Sequence, residues 1–146
     1  MYTGKLLRSL DDDDDSIFRN AVILVVESNE KGETGFILNK RFERNLNELE
    51  EFRHSKPFPL FTGGPIDQEH LYFIHHQPDL IKESKHIDGE VYLGGNFNEA
   101  IKHINNGTLN TQDLRLFLGY CGWDKGDLEA EINAGGWSIS TENVIF

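Results

Sequence analysis

The run "AVILVVE", from Ala21 to Glu27, is the tightest constraint in the chain. Six consecutive apolar residues, four of them β-branched, read as a strand covered on both faces rather than one with a wet side. Such a strand belongs in a core and needs partners above and below it. After the turn-rich "SNEKGETG", the residues "FILN" (36–39) read as a second strand, and the short link between them predicts a hairpin. "HLYFIHH" from His70 and "GEVYLGG" from Gly89 are further strand candidates. In "DLRLFLGY" the period is two, with Leu114, Leu116, Leu118 and Tyr120 on one face and Arg115 and Phe117 on the other. "WSIST" from Trp137 reads as a terminal strand.

The helix signals fall between these strands. "NFNEAIKHINNG" sets Asn96 and Glu99 at capping-box spacing, puts Phe97, Ile101 and Ile104 on one stripe, and ends on Gly107. "NLNELEEF" repeats that spacing with Asn45 and Glu48, and Leu46, Leu49 and Phe52 predict a short amphipathic helix, closed off by Pro57 and Pro59. A last helix is expected from Asp127 to Ala134, stopped by Gly135 and Gly136. Strands and helices interleave without a strict βαβ rhythm or an internal repeat, which predicts an α+β fold with a mixed sheet. At 146 residues the chain suits a single domain, residues 1–146. Its apolar share of 38% is modest, but ten Phe, four Tyr and two Trp supply enough buriable area for a core.

Charge narrows the function. Fourteen basic against twenty-five acidic side chains give a net −11, a sign that repels phosphate backbones, so direct nucleic-acid binding is disfavoured. The basic cluster Lys40, Arg41, Arg44, Arg53 and Lys56 is interleaved with Glu43, Glu48, Glu50 and Glu51, leaving a local 5 − 4 = +1. The single cysteine, Cys121, makes no internal disulfide, the N-terminus lacks a signal-peptide h-region, and no apolar run could span a bilayer. A cytoplasmic protein without a membrane segment is the expectation. The run Asp11 to Asp15 reads as a solvated loop, since calcium loops alternate their ligands and include a turn glycine.

No P-loop, nucleophile elbow, dinucleotide fingerprint or paired-cysteine site is present. Weaker constellations remain. Gly63–Gly64 and Gly94–Gly95 each stand at a strand end, as tight turns or as a nest of backbone N–H groups for an anion. His75 and His76, adjacent in a strand, point to opposite faces and do not share a metal; no metal and no cofactor is expected. Cys121 reads as a small buried hydrophobe more than as a nucleophile.

The stretch from Gly119 to Trp137 concentrates special residues. It holds both tryptophans, the cysteine, five of the fourteen glycines, and Asp124, Asp127, Glu129 and Glu131. Gly119, Gly122 and Gly126 are expected to let the preceding strand turn sharply into the last helix, with Trp123 folded over the turn. Asp124, Asp127 and Glu129 then face the positive end of that helix. Glu131 lies at the margin of the apolar face, three residues after Leu128, where burial would require a paired donor. Asp127 precedes it by one helical turn, so the two carboxylates are the candidates for acid/base chemistry if the protein is an enzyme.

Taken together, "GKLL", "GETGFILNK", "TGGPI", "YLGGN" and "GYCGW" followed by "GDLEAE" resemble the AlgH/YqgE family of bacterial proteins, in the family's order and over nearly the whole chain. The resemblance implies one α+β domain whose mixed sheet curls into a barrel-like core with helices outside. It also implies the family label of transcriptional regulator. The chain departs from the family pattern at Lys40–Arg41, where Arg-Pro is usual, at Cys121, usually Ala, and at Asp127, usually Gln. A non-enzymatic protein that binds a small ligand or a protein partner, with an indirect regulatory role, is the reading that best joins these observations. Its expected binding residues are Asn39, Gly63, Gly64, Gly119, Gly122, Trp123, Glu129 and Glu131. The alternatives are a DNA-contacting regulator and an enzyme using Asp127 or Glu131.

Overall fold

The structure is a computed structural model that describes residues 2–11, 15–140, 142, 144 and 146, so Asp12 to Asp14 of the acidic run lie outside the described residues. Among those described, ten strands form: β1 (Leu6–Ser9), β2 (Val22–Asn29), β3 (Gly32–Ile37), β4 (Arg41–Asn45), β5 (Pro59–Thr62), β6 (Ile66–His75), β7 (Lys85–Asp88), β8 (Val91–Leu93), β9 (Leu114–Asp124) and β10 (Trp137–Ser140). Two α-helices accompany them, α1 (Phe97–Asn105) and α2 (Asp127–Asn133). The fold is α+β, as the sequence predicts.

The sheet runs in the order β10-β1-β2-β3-β9-β6-β8-β7, with β4 and β5 branching from β9. It is mixed, because β5 lies parallel to β9 while the other pairs are antiparallel. It is not closed into a barrel: β10 and β7 stand at its two ends without pairing to each other. The long β9 is the hub, contacting β3, β5 and β6 along its length.

β2 is covered on both faces, as its apolar run requires. Leu24 and Val26 join Phe36, Ile74 and Phe117 in one cluster, and Ile23 and Val25 join Leu7, Cys121, Leu128 and Trp137 in another, so α2 caps the second face. A third cluster brings Ala100 and Ile104 of α1 onto Leu114, Leu116 and Leu118 of β9. Phe36 and Phe117 stack at 4.7 Å between ring centres across the β3–β9 region.

Several local expectations change. The hairpin forms, but β3 begins at Gly32, four residues before "FILN", because Asn29 pairs directly with Gly32 and only Glu30 and Lys31 make the turn. "NLNELEEF" does not form an α-helix. It makes two 3-10 turns, Leu46–Glu48 and Glu50–Phe52, broken by Leu49 in an extended conformation (φ −83°, ψ 136°). The expected capping box is nevertheless there on the first turn, with Glu48 accepting from the Asn45 N–H at 2.9 Å. In α1 the Asn96 side chain accepts from the Glu99 N–H at 3.1 Å, whereas the Glu99 carboxylate turns away to the Lys82 N–H at 2.9 Å.

The largest change is in β9. No sharp turn occurs at Gly119 or Gly122; the strand continues to Asp124 and the chain reverses at Lys125–Gly126, where Gly126 has φ +87°. Gly119, at φ +77°, instead breaks the alternation inside the strand. Leu114, Leu116 and Leu118 keep to one cluster, but Tyr120 falls with Phe117 on the other side.

Candidate functional site

The stretch after Gly119 builds one side of a cleft of about 550 Å³. Tyr120, Gly122, Trp123 and Asp124 come from β9, Asp127 and Glu131 from α2, and Asn29 and Lys31 to Thr34 from the β2–β3 hairpin that pairs with the end of β9. The wall is mostly polar and acidic, with one cation, Lys31, and four carboxylates, Glu33, Asp124, Asp127 and Glu131, among its described lining. A cleft of this size lies within the range of small-ligand sites.

Glu131 is exposed, not buried at the helix margin, and its expected donors are two tryptophans. Its Oε1 accepts from the Trp123 indole N–H at 3.2 Å and from the Trp137 indole N–H at 2.9 Å. The two rings meet edge to face at 6.1 Å. Trp137 is buried and its apolar body packs with Leu7, Ile23 and Leu128; Trp123 is half-buried against the same cluster. The polar edges of both rings therefore converge on one carboxylate oxygen while their carbon frames anchor α2 to the sheet. Glu131 Oε2 receives no donor from the described residues, and Glu131 is part of the cleft lining.

The other expected binding residues divide into two groups. Gly122, Trp123 and Glu131 line this cleft, while Glu129 faces a neighbouring depression with Tyr2 and Lys125. Asn39, Gly63, Gly64 and Gly119 are occupied in architecture. The Asn39 amide accepts from the Val22 N–H at 2.9 Å and donates to the Asn20 carbonyl at 2.8 Å, holding the start of β2. Gly63 gives its N–H to the Leu118 carbonyl at 2.8 Å, and Gly94 gives its own to Phe73 at 2.9 Å, so neither offers that donor to an anion. A Cβ on Gly64 would stand 2.2 Å from the Tyr120 carbonyl carbon and oxygen, so this glycine lets the β5–β6 connection lie against β9.

Cys121 is buried, and its thiol, which donates to the Gly63 carbonyl at 3.4 Å, is pushed up to about 12 by that burial. The thiolate needed for nucleophilic attack is thereby suppressed. His75 is buried and His76 is not, as adjacent strand positions require. Among the described residues no group of three His, Cys, Asp or Glu is placed to hold a metal ion, and no helix is long and apolar enough to cross a membrane.

Sequence reading missed a second constellation. Asp67, with φ +55°, accepts from the Tyr72 hydroxyl at 2.5 Å and pairs with His70 Nδ1 at 2.6 Å. The hydrogen bond from Tyr72 and that with His70 hold the Asp67 carboxyl below its usual range, and Asp67 in turn raises His70. The signal was the three-residue spacing of Asp67 and His70, masked because "HLYFIHH" alone looked like the strand.

Comparison with known proteins decides the family. The AlgH-like family model, DUF179, matches residues 6–145. The chain belongs to the AlgH-like family. It is 38% identical over 141 residues to a UPF0301 protein of Cytophaga hutchinsonii, covering 96% of this chain and 78% of that one. A UPF0301 protein of Chlorobium chlorochromatii is 35% identical over 148 residues, with coverage of 100% and 79%. The solution structure of the AlgH protein from Pseudomonas aeruginosa has the same fold, with a TM-score of 0.76 at 24% identity over 96% of this chain and 77% of that chain. The crystal structure of DIP2367 from Corynebacterium diphtheriae gives 0.73 at 22% identity, covering 96% and 75%. This member of the AlgH-like family matches proteins whose names state a family and no reaction.

Proposed function

We propose that this AlgH-like chain works as one domain and as a non-enzymatic, cytoplasmic binding protein, with the cleft beside α2 taking a small amine-bearing or hydroxylated ligand. A regulatory role would then be indirect, exerted through the ligand. The observation that carries this reading is Glu131, whose Oε1 is fixed by two indole N–H groups while Oε2 is left to the cleft. Preorganised acceptors of this kind bind without paying for side-chain ordering. The surrounding Asp124, Asp127 and Glu33 favour a cationic or hydrogen-bond-donating guest over an anion.

The enzyme alternative has one supporting observation, that Asp127 and Glu131 line the same cleft. Against it, Asn39 is committed to the backbone of residues 20–22 and does not line this cleft. Direct DNA contact has less support. Lys40 and Arg41 donate to backbone carbonyls, Arg53 pairs with Glu50, and Arg115 is half-buried over the Phe61 ring.

Tryptophan fluorescence reports directly on the cleft. Titration with putrescine, spermidine, glucose, free amino acids and Mg²⁺ is expected to give saturable change with at least one amine or polyol, reduced about tenfold or more in affinity by Glu131→Gln. Absence of any saturable change, or a change untouched by Glu131→Gln and Asp127→Asn, would remove the reading.

A further inference from the structure

A larger groove lies elsewhere, sharing no lining residue with the cleft beside α2. Its volume is about 760 Å³. The floor is apolar: Phe42 from β4, Leu49 and Phe52 from the 3-10 turns, Leu71 from β6 and Phe97 from α1. All five are only half-buried, resting on the Leu114–Leu118 cluster with part of their surface uncovered. The rim carries Glu50, Glu51 and Glu69, all exposed, beside His70. Glu50 is shared with Arg53, and His70 with Asp67; Glu51 and Glu69 have no ion-pair partner among the described residues.

A second observation concerns the backbone. β6 pairs with β9 at Ile66 and again from Leu71 to His75, with a break in register between, and with β8 only at Ile74 and His75, so among the described residues Gln68 to His70 have no strand partner and Leu71 and Tyr72 are paired on the β9 side alone. Gln68, Glu69, His70 and Leu71 therefore both line the groove and carry backbone open to a further strand. Unpaired edges accept extended segments through main-chain hydrogen bonds, with neighbouring pockets selecting side chains. Carboxylates on the rim select for positive charge.

We infer that this groove docks an extended segment of another protein, with apolar residues at its centre and lysine or arginine on its flanks, by strand addition to β6. The apolar centre covers Phe42, Leu49, Phe52 and Phe97, and the flanking cations reach Glu51 and Glu69. A small organic cation would satisfy the rim and floor but would leave the β6 edge unpaired.

The test uses a fluorescein-labelled ten-residue peptide with a Val-Phe-Val-Leu centre and lysines at both ends, followed by anisotropy with the full chain. Saturable binding that weakens with salt is expected, reduced about tenfold or more by the double variant Glu51→Lys, Glu69→Lys and within about twofold of wild type in Asp79→Lys, an exposed control away from the groove. These positions are exposed, so circular dichroism is expected to show all variants folded. Amide exchange at Gln68 to Leu71 is expected to slow in the complex. No saturable binding would overturn the inference, as would equal loss in Asp79→Lys, which marks general attraction to an acidic protein. Undiminished binding of the same peptide N-methylated at alternate central amides would exclude strand addition. Displacement by hexylammonium at concentrations comparable to the peptide would make the groove a small-cation pocket instead.

Discussion

At the scale of single residues, Glu131 joins stability to function. Removing its carboxylate with Glu131→Ala leaves the indole N–H of the buried Trp137 without its acceptor, a loss of about 1–2 kcal/mol. Glu131→Gln keeps an amide oxygen in the same place and is expected to recover most of that stability while still weakening a cationic ligand. Urea unfolding of both variants separates the roles; equal destabilisation would mean that charge, not hydrogen-bond geometry, holds the tryptophans. His75 gives a pH signature. It is buried, its Nε2 lies 2.9 Å from the Gly94 carbonyl, and its Nδ1 accepts from the Gln77 N–H at 3.1 Å, which suits the neutral ring with the proton on Nε2. Burial, assisted by the charge of His76, pulls its titration below the usual histidine value, against the opposing bond to Gly94. The unfolded chain then binds the extra proton first, so this contribution to stability is present above about pH 6.5 and is lost as pH falls toward the folded value. Ring-proton NMR of the folded protein is expected to show His75 titrating below the usual histidine value and below His70; a midpoint at or above 6.5 would contradict the assignment.

Among the elements, β9 shows what sequence patterns could and could not reveal. Its first half was legible, because Leu114, Leu116 and Leu118 alternate as a strand must. Its second half was not, because Gly119, Gly122 and Gly126 together look like one turn, whereas only Gly126 turns the chain and Gly119 serves close approach, a Cβ there striking the Gly64 carbonyl oxygen at 2.5 Å. Glycine content marks the need for space without saying whether the chain bends or another strand passes. The same ambiguity hid β4, β5 and the groove, since "RFERN" and "PLFT" become strands only by pairing with each other and with β9. Of the candidate site, Gly122, Trp123, Asp127 and Glu131 line one cleft through their nearness in sequence, while Lys31 and Thr34 reach it only through pairing of β3 with β9. Gly64→Ala is therefore expected to cost about 3 kcal/mol or more, through backbone displacement. Gly126→Ala, where the Cβ would meet open space, costs only the left-handed backbone penalty of about 1 kcal/mol. Thermal melts of the two variants with similar midpoints would show that the close contact of Gly64 with β9 is not a constraint.

For the whole molecule, the charge of −11 and the engagement of Arg41, Arg53 and Arg115 in internal contacts predict no site-specific retardation of genomic DNA fragments by the purified protein at low salt. A discrete shifted band would restore the regulator that touches DNA itself. The order of the sheet has a different kind of consequence. β1 pairs on one side with β2 and on the other with β10, so Leu6 faces Leu24 in one direction and Ser140 in the other. During synthesis β1 is made first of the described strands and β10 last. One edge of β1 thus waits for every other described strand to leave the ribosome, and the loop closed by that final pairing is the longest between any two paired strands described. Formation of the last ladder is expected to be a late step, and a nascent chain halted before Trp137 would carry an open edge prone to pairing with its neighbours on the same messenger.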